Sequence, residues 1–218
     1  MEKKYKYILW DLDGTLTDSA LGILRTAAYA LRHFGIQVDD LRQLRPFVGP
    51  PLEDSFMEFY GFSATQAQEA VEIYRGRYEK IGVRENAPYP GVHECLQRLR
   101  ERGYTLMLAT SKPENTARTV LKEFELEGFF DFVCGRDAEG RLHSKADVLR
   151  HILETTGIGG EKERAVMVGD RKYDILGAKE VGIDAVGVLF GYGSREELSG
   201  AGASWLVEDY EGVLELFP

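Results

Sequence analysis

The sequence predicts an α/β protein: a doubly wound parallel sheet core with a small inserted α-helical cap domain. After residue 91, short apolar runs alternate with amphipathic stretches, a pattern typical of parallel strands connected by helices. Before residue 85, by contrast, a single short apolar run is followed by helical periodicity alone. We therefore expect a core made of residues 1–17 and 85–218, interrupted by a helical cap of residues 18–84.

The first elements are one strand and a group of helices. The apolar run at residues 7–10 predicts a buried strand that ends at Asp11. Residues 19–34 follow with helical periodicity, which Gly35 ends. Their predicted apolar stripe consists of Leu21, Leu24, Ala28, Leu31 and Phe34. Further helices are predicted at residues 39–45, 52–60 and 63–81, and two prolines within residues 86–91 mark the linker back to the core.

In the remaining part of the chain, helices and strands alternate. We predict helices at residues 92–102, 113–124, 146–155, 172–181, 194–199 and 210–217, and strands at residues 105–109, 130–133, 165–168, 185–189 and 204–207. Ligands of such sheets bind at the carboxyl ends of the strands, so the polar residues that follow the strands are the first candidates for a site.

The charge composition indicates which kinds of binding partner the protein can have. Asp and Glu number 36 against 27 Lys and Arg, and the formal net charge is −9. This charge argues against a nucleic-acid partner, and a small anionic substrate would need local positive charge. No apolar stretch has the length of a membrane span, the run before Asp11 is too short for a signal peptide, and the two cysteines lack a paired spacing. We expect a cytoplasmic protein with no membrane partner, as a monomer or a homodimer.

Carboxylates follow two of the predicted strands. Asp11 and Asp13 lie directly after the first strand, and their spacing of two makes them point to the same side of an extended chain. Asp170 follows the fourth strand, and Asp174 lies four residues later, in the first turn of the next helix. We interpret both segments as parts of one site at the carboxyl edge of the sheet.

Phosphate-binding groups are predicted on two other segments. Thr110 and Ser111 follow the second strand and offer hydroxyls and backbone amides to a phosphate. Ser144 and Asp147 have the spacing of a capping box, so a helix should begin there with Lys145 in its first turn. A cation beside free amide groups suits an anionic phosphoryl group.

We predict a bound metal ion because several carboxylates are expected to lie close together. If the strand ends converge, Asp11, Asp13, Asp170 and Asp174 come together, and two like charges 4 Å apart repel by roughly 4 kcal/mol at an effective dielectric constant of 20. Such a cluster must hold protons or bind cations. Because the ligands are all oxygens and phosphate would be a further ligand, we predict Mg²⁺.

The motifs Asp11-x-Asp-Gly-Thr-Leu, a strand-end Thr/Ser, a later lysine and Gly-Asp-x-x-x-Asp, in this order, resemble the haloacid dehalogenase superfamily over essentially the whole chain. The helical insert and residues 48–52 are similar to the cap and cap loop of its phosphoglycolate phosphatase-like branch. The resemblance implies a phosphatase that hydrolyses a small phosphorylated metabolite through an aspartyl-phosphate intermediate.

The resemblance also assigns roles to residues. It implies Asp11 as nucleophile and metal ligand, and Asp13 as general acid/base and a metal ligand through its carbonyl. It further implies Asp170 as metal ligand and Asp174 as a supporting acid. The phosphate-binding residues would be Thr110 and Lys145, with Ser111 beside them. Ser111 and Lys112 follow the second motif of the family less closely than the other residues follow theirs.

The sequence is compatible with several activities. The substrate could be 2-phosphoglycolate, a nucleoside monophosphate, as for a 5'-nucleotidase, or a sugar phosphate. A sugar phosphomutase would carry a cap histidine soon after the first motif, and residues 16–20 contain none. A non-enzymatic phospho-receiver also uses a strand-end aspartate, a threonine and a lysine, but the second acid Asp13 and the inserted cap argue against it.

Overall fold

The computed structural model describes residues 4–137 and 141–218, and the chain divides into two compact units. One unit contains the chain up to Thr17 and the segment Pro88–Pro218, and the other is Asp18–Ala87. The return to the core at residue 85 stays a prediction. The buried side chain of Asn86 donates to the Tyr78 hydroxyl at 2.9 Å, a contact within the helical unit.

The strands in chain order are β1 (Tyr7–Trp10), β2 (Thr17–Asp18), β3 (Ala87–Pro88), β4 (Thr105–Pro113), β5 (Phe132–Arg136), β6 (Ala165–Gly169), β7 (Asp184–Val188) and β8 (Trp205–Val207). In the described part of the chain, six of them form a parallel sheet in the order β5-β4-β1-β6-β7-β8. The predicted doubly wound parallel sheet is confirmed.

The register of this sheet places several strand ends side by side. Trp10, the last residue of β1, pairs with Leu108 of β4 and with Val168 of β6. The chain adds β4 and β5 on one side of β1 and β6 to β8 on the other. This reversal creates a topological switch point at β1, which is where sheets of this kind bind ligands.

The α-helices are α1 (Ala20–His33), α2 (Leu52–Tyr60), α3 (Ala64–Tyr78), α4 (Val92–Glu101), α5 (Glu114–Glu123), α6 (Lys145–Thr155), α7 (Lys172–Val181), α8 (Arg195–Ala201) and α9 (Tyr210–Leu216). Short 3₁₀ helices cover Leu41–Phe47, Gly82–Glu85, Glu127–Phe129 and Ile158–Arg164. Within the described ranges, no helix combines the length and apolar character that a bilayer crossing requires.

The core of the sheet unit holds the site rigidly. Leu9, Met107 and Met167 point to one face of β1, β4 and β6 and pack with Ile152 of α6 and Ile175 of α7 in one buried cluster. Each fully buried side chain of this size contributes about 1.5–3 kcal/mol. The strand ends and the starts of α6 and α7 therefore have fixed positions relative to one another.

In the helical unit, the buried face of α1 differs from the predicted stripe. Leu21 is 44 % exposed, and Ala28 is only partly buried, whereas Gly22, Ala27 and Ala30 are buried. A Cβ atom at Gly22 would lie 2.4 Å from the carbonyl oxygen of Gly82. Because α1 approaches this backbone so closely, small residues face inward there, beside the buried Ile23 and the buried stripe residues Leu24 and Leu31.

Candidate active site

Asp11 follows β1 at the switch point of the sheet. Its backbone N–H donates to the carbonyl of Val168 at 2.9 Å, which fixes the residue beside the end of β6. The residue is 9 % exposed, and its Oδ1 atom accepts from Nζ of Lys145 at 2.8 Å. The carboxylate is therefore buried and oriented by a cation.

Lys145 reaches the site because α6 begins where the sequence predicts. The backbone N–H of Asp147 donates to Oγ of Ser144, at 3.1 Å, and the side chain of Asp147 accepts from the N–H of Ser144, at 3.0 Å. This capping box confirms the prediction and makes Lys145 the first residue of the helix. Gly177 of α7 leaves room for it, since a Cβ atom there would lie 2.9 Å from Cγ of Lys145.

The ammonium group of Lys145 has three partners. Besides Asp11, it lies 2.8 Å from Oδ1 of Asp174 and donates to the carbonyl of Ala109 at 2.7 Å. Burial alone would lower the pKa of Lys145, but the carboxylates of Asp11 and Asp174 outweigh burial and raise it. The group is therefore a permanent positive charge in the site.

The two carboxylates that contact this lysine cluster with a third, that of Asp170. One oxygen atom from each of Asp11, Asp170 and Asp174 lies within 4.8 Å of the others, and all three residues are buried. Burial raises the pKa of Asp11 to about 6 despite the nearby charge of Lys145. Burial, together with the charges of Asp174 and Asp11, holds the pKa of Asp170 well above its usual range. The protein alone compensates these negative charges poorly.

The residues of this triad fit a divalent metal ion. Full ionisation of the three carboxylates against one ammonium group would leave an excess of two negative charges, which a divalent cation would cancel. The donors are all oxygens, the ligand type that hard ions such as Mg²⁺ prefer. Asp174 belongs to the cluster as closely as Asp11 and Asp170 do, although the sequence predicts only a supporting part for it.

Asp170 is held by two loops. Oδ2 accepts from the backbone N–H of Tyr192 at 2.7 Å, and Oδ1 accepts from the hydroxyl of Thr15 at 3.4 Å. Gly14 has a φ of +85°, and a Cβ atom there would lie 2.2 Å from Oδ2 of Asp170. A Cβ atom at Gly191 would meet Cβ of Asp170 at 2.3 Å. Glycine is required at both positions because the loops press against this carboxylate.

The structure groups Asp13 with a lysine that the predicted set of site residues omits. Nζ of Lys112 donates to both carboxylate oxygens of Asp13, at 2.7 and 2.6 Å. The backbone N–H of the same lysine donates to Oγ1 of Thr110 at 3.2 Å. Thr110 is buried and directly follows Ala109, whose carbonyl binds Lys145, whereas Ser111 is half-buried.

Sequence reasoning thus missed two features of the site. The first is the contact of Lys112 with Asp13. The second is the loop at residues 190–193, whose backbone holds Asp170. A signal for the loop exists, because two glycines flank Tyr192 just after a predicted strand, at the edge where the site residues gather. A lysine three residues beyond the end of a predicted strand carries no comparable signal.

Known proteins resemble this chain over most of its length. The model of the haloacid dehalogenase-like hydrolase family matches residues 8–188. A 5'-nucleotidase of Pseudomonas aeruginosa is 42% identical over 195 residues, covering 89% of this chain and 87% of that protein. The tyrosine-protein kinase PtkA of Mycobacterium tuberculosis is 41% identical over 189 residues, covering 87% of this chain but 64% of that protein. The solved structure of a predicted phosphatase from Clostridium acetobutylicum has a TM-score of 0.91 and 42% identity, covering 97% of this chain and 99% of that one.

The family match contains all four motifs of the site, from Asp11 to Asp174. The resemblance that the order of these motifs indicates is confirmed. With this match, and with a phosphatase among its near structural relatives, the chain belongs to the haloacid dehalogenase-like hydrolase family and is a phosphatase.

Proposed function

We propose that the protein is a Mg²⁺-dependent phosphomonoesterase that hydrolyses small phosphorylated metabolites through an aspartyl-phosphate on Asp11. The observation that carries this proposal is the position of Asp11: a buried carboxylate, 2.8 Å from a buried ammonium group and clustered with Asp170 and Asp174. A nucleophilic carboxylate needs such a fixed orientation, and it needs a nearby positive charge that attracts the phosphoryl group.

The residues divide the reaction between them. An oxygen of Asp11 attacks phosphorus, and Lys145, which already orients that carboxylate, stabilises the negative charge of the phosphoryl group. Thr110 offers its hydroxyl to the phosphate, with Ser111 beside it. Asp13 gives a proton to the leaving oxygen and then takes one from the water that hydrolyses the intermediate. Mg²⁺ held by Asp11, Asp170 and the carbonyl of Asp13 would neutralise charge and align the phosphate with the nucleophile.

The raised pKa values support a cation in this arrangement. Asp11 must be ionised to attack, yet burial raises its pKa to about 6. Asp170, whose pKa is held well above its usual range by burial and by the neighbouring acids, must be ionised to bind a metal ion. A divalent cation bound to these oxygens favours the ionised forms and so prepares the nucleophile at neutral pH.

For the substrate, we propose nucleoside monophosphates as the first class to test. The support is the 42% identity to a protein named 5'-nucleotidase, over 89% of this chain. The resemblance of the motifs to the phosphoglycolate phosphatase-like branch makes 2-phosphoglycolate the second candidate. We propose the unit Asp18–Ala87 as the cap of this branch, and the sheet unit as the catalytic core.

A screen of phosphorylated metabolites, with and without Mg²⁺, tests the proposal. It compares the native protein with Asp11→Asn and with Asp39→Asn, a matched change at an exposed aspartate. We expect Mg²⁺-dependent phosphate release that Asp11→Asn reduces at least about 10³-fold and Asp39→Asn leaves unchanged. Phosphate release that survives Asp11→Asn would contradict the nucleophile assignment.

The same screen separates the other activities. Isomerisation of a hexose 1-phosphate without free phosphate would indicate a mutase, and a stable aspartyl-phosphate without turnover would indicate a phospho-receiver. Because a relative is named as a tyrosine-protein kinase, the screen also includes ATP and a tyrosine-containing peptide. Formation of phosphotyrosine without phosphate release would contradict our proposal and indicate phosphoryl transfer to a protein tyrosine.

A further inference from the structure

Lys112 is buried beside the acid/base residue of the proposed mechanism. Its side chain is 7 % exposed, and the carboxylate that it contacts, that of Asp13, is 18 % exposed. Exposed lysine–carboxylate pairs contribute little to stability, whereas a buried lysine loses hydration that only close partners replace. Contact with both carboxylate oxygens, at 2.7 and 2.6 Å, leaves the Asp13 side chain little freedom to rotate.

An irregularity in β4 brings Lys112 to this position. The pairing of β4 with β5 runs from Ala109 opposite Cys134 to Pro113 opposite Arg136. Four residue steps on β4 therefore oppose two on β5, and the segment between them bulges out of the ladder. Gly135 permits this bulge, because a Cβ atom there would lie 2.5 Å from the carbonyl oxygen of Lys112.

The bulge gives one residue two contacts within the site. The backbone N–H of Lys112 binds the hydroxyl of Thr110, and its side chain binds the carboxylate of Asp13. Thr110 is the proposed phosphate-binding residue, and Asp13 is the proposed proton donor. The segment from residue 109 to 113 thus connects the part of the site that holds phosphate with the part that transfers the proton.

We propose that Lys112 is a positioning residue: it holds the carboxyl group of Asp13 in the orientation that protonates the leaving oxygen. This inference rests on the proposed function, in which Asp13 is the general acid. As the bond between phosphorus and the leaving oxygen breaks, the proton moves from one oxygen of Asp13 to the leaving group. Lys112 contacts both oxygens in the structure; in this step it gives up the oxygen that carries the proton and stays hydrogen-bonded to the other, so the orientation is kept until Asp13 takes a proton from water.

The alternative role for Lys112 is direct binding of phosphate. The two roles differ in how they depend on the leaving group. A phosphate-binding lysine would matter equally for every phosphomonoester, because the phosphoryl group is the same in each. A residue that positions the proton donor matters for alcohols, which leave as poor anions, and much less for 4-nitrophenol, which leaves without a proton.

The experiment measures kcat/KM for a nucleoside monophosphate or simple alkyl phosphate and for 4-nitrophenyl phosphate, using the full-length protein with Mg²⁺. This ratio covers the steps up to formation of the aspartyl-phosphate and excludes its hydrolysis. For Lys112→Met we expect a loss of about 10²-fold with the alkyl substrate and less than about 5-fold with the aryl substrate, since general acid catalysis contributes about 10²–10⁴-fold. Lys112→Arg should restore part of the loss, because it keeps the charge.

Two comparison variants make the result specific. Lys122→Met, the same change at a lysine of α5 that is 66 % exposed, should leave both rates unchanged. Thr110→Ala should lower kcat/KM for both substrates by the same factor, as expected for a phosphate-binding group. Gly135→Ala, which displaces the bulge without removing a charge, should repeat the selective loss of Lys112→Met.

An equal loss with both substrates in Lys112→Met would overturn the positioning role and assign the lysine to phosphate binding. Unchanged rates with both substrates would overturn any role in the reaction. Neither result would affect the proposed function, which fails only if Asp11→Asn retains Mg²⁺-dependent phosphate release.

Discussion

Replacing Asp11, the proposed nucleophile, should stabilise the protein when no metal is bound. Burial raises the pKa of Asp11 from an ordinary value of 3.8 to about 6 in the folded state. At neutral pH the ionised carboxylate is therefore less favourable in the folded protein than in the unfolded chain. Each unit of pKa corresponds to about 1.4 kcal/mol, so this charge lowers the free energy of unfolding by about 3 kcal/mol. Asn is neutral, has the same shape and still offers an oxygen to Lys145.

The pH dependence has a defined sign. Between pH 4 and 6 the folded protein holds a proton on Asp11 that the unfolded chain has lost, so the contribution of Asp11 to stability falls as pH rises through this range and is constant above it. Asp11→Asn lacks this contribution. The stability gain from the substitution should be about 3 kcal/mol at pH 7.5 and roughly half of that at pH 5.

The assay is equilibrium unfolding in urea with EDTA at both pH values, with Asp39→Asn as the control at an exposed position. Addition of Mg²⁺ should then stabilise the native protein more than Asp11→Asn, because the variant has lost a proposed metal ligand. If Asp11→Asn is less stable than the native protein in EDTA at pH 7.5, the contact with Lys145 outweighs the burial of the charge. The account of a poorly compensated acidic cluster would then be wrong.

Three further predictions concern a glycine, an ion pair and the cysteines. Gly14→Ala should lower phosphatase activity at least about 10²-fold, because its Cβ would collide with Asp170, whereas Gly103→Ala, with a similar φ of +81° and no atom within 4 Å, should retain activity. In the helical unit, hydrogen bonds from Arg77 lower the pKa of Glu85, so Glu85→Gln should lower the free energy of unfolding by about 1–2 kcal/mol at pH 7. This difference should vanish as pH falls below the lowered pKa. Urea unfolding measures it, and a variant as stable as the native protein at pH 7 would contradict the prediction. Burial raises the pKa of Cys95 and Cys134 to about 12, so iodoacetamide should modify neither thiol until the protein unfolds. Detection of either modified cysteine by mass spectrometry of protein treated in the native state would refute this.

The sequence predicts those parts of the site that depend on local structure. Asp11 and Asp170 follow strands whose apolar runs are easily recognised, and Lys145 begins a helix with a capping box in its sequence. Parallel strands then bring these residues to the same edge without further information. Lys112 could not be predicted, because its contact with Asp13 depends on a bulge that Gly135, a residue of another strand, makes possible.

The same distinction applies to the helical unit. The helices at residues 19–34 and 52–60 are found within one residue of their predicted ends, because their periodicity is local. The buried face of α1 is not fully predicted by local periodicity. Gly22 faces inward because the backbone of Gly82, 60 positions further along the chain, approaches it closely. Periodicity of large apolar residues cannot report a contact between two backbones.

The central claim is that phosphorus becomes bonded to Asp11. The protein is mixed rapidly with substrate and Mg²⁺, quenched with acid and treated with borohydride. Borohydride reduces an aspartyl-phosphate to homoserine, which peptide mass spectrometry can locate. The account predicts homoserine at residue 11 and its absence in protein treated without substrate. Homoserine at residue 13, 170 or 174, or none at all during active turnover, would contradict it.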